Sequence, residues 1–409
     1  MVSSVPSHVK LRLGIMMFVN YVVWGAWYVT ITNYLTTALH FTGTQAGAVF
    51  GTAAIASIIS PFFVGLVADR YFATEKVMAV LYGMCALLMF LMTRARSFAE
   101  VYGLMLLFCL CYFPNVALTN TMAFQLMKDP GREFPVIRMM GTLGWIFITN
   151  VISYLKMEGT TGQFWVTLGA SLVMVAVSLG LLPHTPPKGK GTKFSAGTAL
   201  GLDALVMLKD KPFFVFAIAS VLACIPLTFY FSFTNNYLNE VGVQNAAAKM
   251  SLGQGSEVLM MLAMPFLFRR FTVRFVILLG LVSWVLRYLL LAYGNAGSGM
   301  WMFYFAILLH GACYDFFFMT GQLYTDQKAP PHLRNAAQGL ILFLTYGVGM
   351  LVGSLLSGAA VDYFTHIEAG KVVRDWHTFW LSSSGMAAVI LVMVLLTFRT
   401  SAKIQPKEA

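Results

Sequence analysis

The sequence predicts an all-α membrane protein with twelve transmembrane helices. They fall into two pseudo-symmetric six-helix bundles with both termini cytoplasmic. Three observations carry that prediction. First, 58% of the 409 residues are hydrophobic and only 11% are charged, and mean hydropathy is +0.75; soluble domains carry about 25% charged residues. Second, lysine and arginine are distributed unevenly between alternate loops. Third, short strings recur about two hundred residues apart. The same composition excludes other classes. With 34 Phe, 17 Tyr and 8 Trp the chain is too aromatic for disorder, and it has too little polar surface to cover a soluble enzyme. A net charge of +11 fits cytoplasmic Lys and Arg better than a nucleic-acid partner. The five cysteines (Cys85, Cys109, Cys111, Cys224, Cys313) lie inside apolar runs and read as small buried residues, not as a disulfide framework.

A spanning helix needs about 20 mostly apolar residues. Twelve such stretches occur, at 11–37, 43–68, 75–93, 99–127, 134–155, 162–183, 212–238, 246–268, 273–293, 300–325, 334–362 and 376–398. Residues 1–10 are polar, and no small-residue cleavage site follows the first apolar run, so that run reads as a span and not as a signal peptide. With the N-terminus inside, cytoplasmic segments hold nineteen Lys and Arg and external ones hold six, with Arg138 and Arg287 inside spans. That asymmetry sets the orientation and requires an even number of spans.

The longest loop, 184–211, opens with His184, Thr185, Pro186, Pro187 and Lys188. Its Pro and Gly break any helix at the cytoplasmic surface, while 202–208 suits a short interfacial helix. The loop divides the chain into an N-terminal bundle (1–183), a linker (184–211) and a C-terminal bundle (212–409). Thr32-Asn33-Tyr34-Leu35 recurs as Asn235-Asn236-Tyr237-Leu238, Pro61-Phe62 as Pro265-Phe266, and Cys111-Tyr112 as Cys313-Tyr314. Three matches at nearly one offset argue for a six-plus-six duplication. Parallel repeats of that kind mark major facilitator transporters, with the substrate site between the halves near the midplane. The second span ends Gly65-Leu66-Val67-Ala68-Asp69-Arg70, which resembles the cytoplasmic motif of that superfamily, although the usual downstream Gly and basic pair are absent.

Ionisable residues in mid-membrane cost roughly 2.5–3.5 kcal/mol on insertion scales and are functional candidates by default. Glu257 lies in the eighth span with Gln254 on the same face (i, i+3), and Asp315 lies in the middle of the tenth. In the fifth span Arg138, Thr142 and Trp145 share one face at i, i+4 and i+7. Arg138 is near enough to the cytoplasmic end to read either as a substrate contact or as a snorkelling cation. Arg287 in the ninth span reads as packing, paired with Glu257 or Asp315. Burial favours the protonated form of a carboxyl, so Asp315 and, second, Glu257 suit proton coupling. Gln254 and Glu257 can bond hydroxyls or ring amides, while Trp145 and Tyr314 can stack on a flat base. Trp24 and Trp27 suit either cavity closure or the lipid interface, and Asn115, Thr119 and Asn120 read as helix glue. His310, the histidine within a span, suits a proton relay or a hydrogen bond to a backbone carbonyl. No catalytic triad, paired-cysteine metal site or phosphate loop is present, so the chain is expected to be no enzyme and to need no metal or other cofactor beyond a proton gradient.

Residues 134–145 (FPVIRMMGTLGW) are similar to the fifth span of the bacterial nucleoside:proton symporter family of the major facilitator superfamily. Trp24-Gly25-Ala26-Trp27, 200–204, Gln254-Gly255-Ser256-Glu257, 284–288, Tyr314-Asp315-Phe316-Phe317 and Ala337-Gln338-Gly339 resemble the same family, in order along nearly the whole chain. The resemblance implies proton-driven import of nucleosides across the bacterial inner membrane by alternating access. Arg138, Thr142, Gln254 and Glu257 match residues that contact nucleoside in the family. Asp315 matches the acidic residue held to couple protons, and Tyr314 the aromatic beside it. Four positions depart from some members: Trp145 replaces Phe, Thr228 and Phe231 replace seventh-span Gln and Asn, and His310 replaces Tyr. The expected partners are nucleosides, protons and the lipid bilayer, with no nucleic acid, and the chain is expected to be a monomer. The alternative is a proton-linked carrier of another hydroxylated solute, such as a sugar or modified nucleoside. A receptor that binds without moving solute and a drug exporter are the rival classes; the polar set Arg138, Gln254 and Glu257 fits an exporter's apolar cavity poorly.

Overall fold

In a computed structural model the chain is almost wholly helical. The structure describes residues 6–63, 72–127, 129–186, 197, 200–400 and 402–404. The Gly65–Arg70 motif lies outside them. Ten helices among the described residues are long and apolar enough to cross a membrane. Two compact units are resolved, one of Met1–Phe41 with Val49–Ala196, the other of Thr42–Ala48 with Gly197–Ala409.

The first unit contains α1 (Ser7–Gly25), α2 (Ile31–Thr37), α3 (Gly43–Phe63), α4 (Thr74–Met92), α5 (Phe98–Leu126), α6 (Pro130–Tyr154) and α7 (Gly162–Ala176); only the first residues of α3 belong to the second unit. The expected first span, 11–37, is not one helix. It breaks at 26–30, where the Thr30 hydroxyl donates both to the Trp27 carbonyl and to Gln163 Oε1 at 2.9 Å. Side-chain bonds of this kind compete with the helical ladder.

Close approach of α1 and α6 depends on missing side chains. A Cβ on Gly144 would strike the Phe18 carbonyl oxygen, one on Gly141 would lie 2.6 Å from the Tyr21 ring, and one on Gly25 2.9 Å from Ile148. Small residues let helices pack backbone to backbone in lipid. Asn20 ties this seam to the rest of the unit: its amide oxygen accepts from Tyr82 at 2.6 Å and its carbonyl from Tyr112 at 2.8 Å. Its amide nitrogen donates to Thr119 at 3.5 Å, which gives that threonine the expected role of glue. All five cysteines are free and buried.

The second unit contains a 3₁₀ helix (Leu202–Lys209), α8 (Lys211–Glu240), α9 (Ala246–Met250), α10 (Leu252–Arg270), α11 (Val273–Tyr293), α12 (Met300–Tyr314), α13 (Thr320–Lys328), α14 (Arg334–Leu342), α15 (Met350–Tyr363) and α16 (Trp376–Thr397). The 3₁₀ helix occupies the stretch where a short helix was expected. Asp210 then caps α8 by accepting from the Phe213 N–H at 3.0 Å. A hairpin of β1 (Thr365–Glu368) and β2 (Lys371–Arg374) precedes α16, and its Ala369-Gly370 turn has φ of 48° and 76°. Two consecutive positive φ values make the twist-matched hairpin turn. Asp362 at the end of α15 caps α3 from outside. It accepts from the Gly43 N–H at 2.6 Å, the Thr44 N–H at 2.8 Å and the Thr44 hydroxyl at 2.6 Å. A carboxylate there satisfies orphan donors and the helix dipole together.

Candidate functional site

Within the first unit the α1–α6 seam builds an aromatic surround for one cation. Arg138 is half-buried, its guanidinium 4.3 Å from the centre of the Tyr21 ring. Trp24 packs against Tyr21, Tyr28, Tyr112, Phe113 and Trp145, with the Trp24–Trp145 centroids 5.6 Å apart at 78°. Arg138 and Trp145 of the expected i, i+4, i+7 face therefore sit in one aromatic neighbourhood, and Thr142 between them is half-buried. Trp24 and Trp27 both belong to it or to its edge, Trp27 being fully buried against Phe108 and Tyr28. Trp24 is half-buried. Sequence reasoning missed Tyr21, although it stands one turn before Trp24 and shares its helix face.

The ionisable residues of the second unit gather around α10, α11 and α12. A Cβ on Gly311 of α12 would lie 2.5 Å from the Ser256 carbonyl, and the Gly311 N–H donates to the Ser256 hydroxyl at 3.0 Å. This tight crossing brings Glu257, next to Ser256, within electrostatic range of Asp315. Gln254 and Glu257 are both half-buried on α10. Asp315 is 1% exposed, and its Oδ2 has no hydrogen-bond partner among the described residues. An unpaired buried carboxyl oxygen is expensive, and its chemistry favours exchange of a proton.

The tenth span changes character at this residue. Asp315–Met319 is π-helical, joining α12 to α13, and Phe343–Gly349 forms a second π-helical stretch between α14 and α15. Such bulges recur at functional positions because they free backbone groups and shift side-chain register. The hydroxyls of Tyr314 and Tyr346 hydrogen-bond, linking the two stretches. Tyr346 was not singled out in the sequence; its one signal is a phenol within an apolar run.

Phe231 is half-buried with its ring edge-on to His310 at 5.6 Å and 85°. Thr228 is fully buried, its hydroxyl donates to the Cys224 carbonyl at 2.7 Å, and a Cβ on Gly353 would lie 2.7 Å from its oxygen. The structure thus puts Thr228 in the α8–α15 packing seam. Arg287 departs from the sequence expectation. Its Nη1 hydrogen-bonds His310 Nδ1 at 3.0 Å, a partner that the sequence reading did not name. Among the described residues His310 meets this guanidinium and no backbone carbonyl.

Long apolar helices, two compact units and ionisable groups buried inside spans define a multi-pass secondary carrier. Comparison with known proteins narrows the class. Residues 7–403 match the nucleoside H+ symporter family. The chain is 41% identical over 401 residues to the putative nucleoside transporter YegT of Escherichia coli strain K12, covering 95% of this chain and 94% of that one. It is 32% identical to the xanthosine permease of the same strain, covering 96% of each. A crystal structure of the nucleoside transporter NupG superimposes with a TM-score of 0.87 at 29% identity, over 96% of this chain and 100% of that one. The chain belongs to the nucleoside H+ symporter family and has the major facilitator architecture of its solved relatives. It is a multi-pass transporter of the bacterial inner membrane, not an enzyme.

Proposed function

We propose that this chain imports nucleosides with protons by alternating access, with Asp315 as the coupling carboxyl and Glu257 as its interacting neighbour. Asp315 is the observation that carries the reading: a carboxyl 1% exposed, lacking a hydrogen-bond partner on Oδ2 among the described residues, at the first residue of a π-helical stretch. A group so placed is costly in its charged form unless water or substrate reaches it. Protonation on one side and release on the other then drives the exchange between states. Glu257, the neighbouring acid on α10, takes part in the coupling with Asp315.

We assign nucleoside contact to Arg138, Thr142 and Trp145 in the first unit and to Phe231, Gln254, Glu257, His310 and Tyr314 in the second. Arg138 and the amide and carboxyl of α10 offer donors and acceptors for ribose hydroxyls and base edges. Trp145 and Phe231 offer flat faces for the base. Thr228 supports the packing beneath that set. The broken first span (α1 with α2) and α10 lie below the apolarity of the other ten spans because they carry polar and charged residues; counting them gives twelve. The bundles are 1–183 and 212–409, with both termini cytoplasmic, as the basic residues argue. The energy source is the proton gradient, with no bound cofactor.

Competition decides between this reading and a sugar carrier. Uptake of labelled uridine by proteoliposomes is expected to be inhibited by thymidine, which keeps a base and has fewer sugar hydroxyls, and not by free ribose or a disaccharide. Inhibition by the sugars with none by thymidine would transfer the site to the alternative.

A further inference from the structure

Arg287 and His310 form a polar pair that proton coupling does not use. Both are buried, at 1% and 2% exposure. A guanidinium is always charged and has donors only. Its Nη1 lies 3.0 Å from His310 Nδ1, and that contact has one chemical solution. Arginine donates and Nδ1 accepts, so the imidazole is neutral and its proton sits on Nε2. A protonated ring would set N–H against N–H and two cations side by side in an apolar interior.

Three helices hold the ring in place. Tyr230 of α8 stacks on it with centroids 5.7 Å apart at 22°, Phe231 meets it edge-on, and Tyr314 of its own span lies at 5.9 Å. The guanidinium of Arg287, on α11, covers the Tyr230 face at 3.3 Å. Its Nε and Nη2 make no hydrogen bond among the described residues, so its contacts run through Nη1 to His310 and along the flank shared with Tyr230 and Cys313. The titratable groups around the pair are Tyr230 and Tyr314, with Cys313 and Tyr288 beside the guanidinium. Glu257 is on α10, whose Gly253 abuts His310: a Cβ there would lie 3.1 Å from the histidine Cβ.

We propose that Arg287 is a positioning residue that locks His310 as a neutral Nε2–H donor, and that this donor selects nucleosides by an acceptor atom on the base. The assignment rests on the nucleoside reading above and gives His310 a definite role within it. Phe231 and Tyr314 border the imidazole with aromatic rings, which suit the edge of a base carrying a carbonyl oxygen or an unprotonated ring nitrogen better than a ribose. The locked ring takes no part in carrying protons. That duty stays with the carboxyls.

The lock is tested by nitrogen NMR of protein labelled with [15N]histidine in lipid nanodiscs, the His310 signal being identified by its loss in His310→Gln. The expected signal shows protonated Nε2 and bare Nδ1, unchanged between about pH 5.5 and 8.5, the range in which an ordinary histidine titrates. Arg287→Gln should release the ring to titrate, and Arg287→Lys, which keeps a charged donor, should largely restore the lock. Titration of His310 in the unaltered protein, or a proton on Nδ1, overturns the proposal. The donor role is read by uptake competition between uridine and a phenyl C-riboside that lacks every base acceptor. His310→Phe should reduce the preference for uridine roughly tenfold, the value of one good hydrogen bond, while His310→Gln, which keeps a donor, should retain most of it. An unchanged preference in a transporting His310→Phe protein overturns the donor role. Failure of the unaltered protein to take up uridine would sink the nucleoside reading and the donor role with it, whereas the NMR signal decides the lock independently.

Discussion

The two units bring different chemistry to the residues assigned to transport. In the first, one half-buried cation, Arg138, stands among Tyr21, Trp24, Trp145 and their aromatic neighbours. The second carries the acids: Asp315 and Glu257 interact across a tight helix crossing, and Arg287 with His310 forms a separate pair on the same tenth span. The difference teaches that the acids are confined to one unit of the proposed site, whereas its aromatic faces are supplied by both. Aromatic faces and an arginine can bind a flat polar solute without changing protonation. An unpaired buried carboxyl exists in two states and can report the proton gradient. Of the three π-helical stretches among the described residues, one begins at the acid itself, where backbone groups are freed beside its side chain.

That comparison breaks first if Asp315 is dispensable. Asp315→Asn keeps the shape and removes the proton site, and it is expected to abolish gradient-driven accumulation while counterflow exchange of nucleoside survives. Accumulation at the unaltered level by this variant would remove Asp315 from coupling. Arg138→Gln is expected to act the other way. It should raise the KM for nucleoside roughly 10- to 100-fold, in line with about 1.5–3 kcal/mol for a charge-assisted hydrogen bond, and leave the dependence on the pH gradient intact. A variant that lost gradient dependence instead would put coupling in both units.

The next effect is smaller. Trp145→Phe keeps a ring and loses area, so affinity should fall a few-fold, matching about 0.5–1.5 kcal/mol for an aromatic contact, as read from competition by thymidine. The smallest effect belongs to a residue with no part in binding. Asp362→Ala removes the acceptor for three donors at the start of α3 and should cost about 1–2 kcal/mol, seen as a lower midpoint in a detergent melting curve with KM unchanged. A changed KM would draw Asp362 into the transport machinery.

The acids were legible in the sequence because a charge inside an apolar run stands out without any partner being known. Glu257 and Asp315 needed only their position in a span. The shared face of Arg138, Thr142 and Trp145 followed from helical periodicity, and the family resemblance followed from strings spread along the chain. Partnerships were not legible. Arg287 and His310 are 23 residues apart on different helices, so which of the buried ionisable groups meets the guanidinium depends on rotation of each helix about its axis. Periodicity does not fix that angle across helices. The break at 26–30 carries no proline and is made by Thr30 reaching Gln163, far along the chain. The hairpin at 365–374 is four residues per strand and mostly exposed, which leaves no apolar alternation to read. Thr228 reads as a contact by alignment; its hydroxyl donates within its own helix, a bond that periodicity does not reveal.

The central claim is that this carrier moves nucleosides with protons, and it is tested most directly by uptake of labelled uridine and adenosine into proteoliposomes, with and without an inward-acid pH gradient. The account predicts accumulation that requires the gradient and collapses on adding a protonophore. Equal uptake with and without the gradient, or none by folded protein, would contradict it.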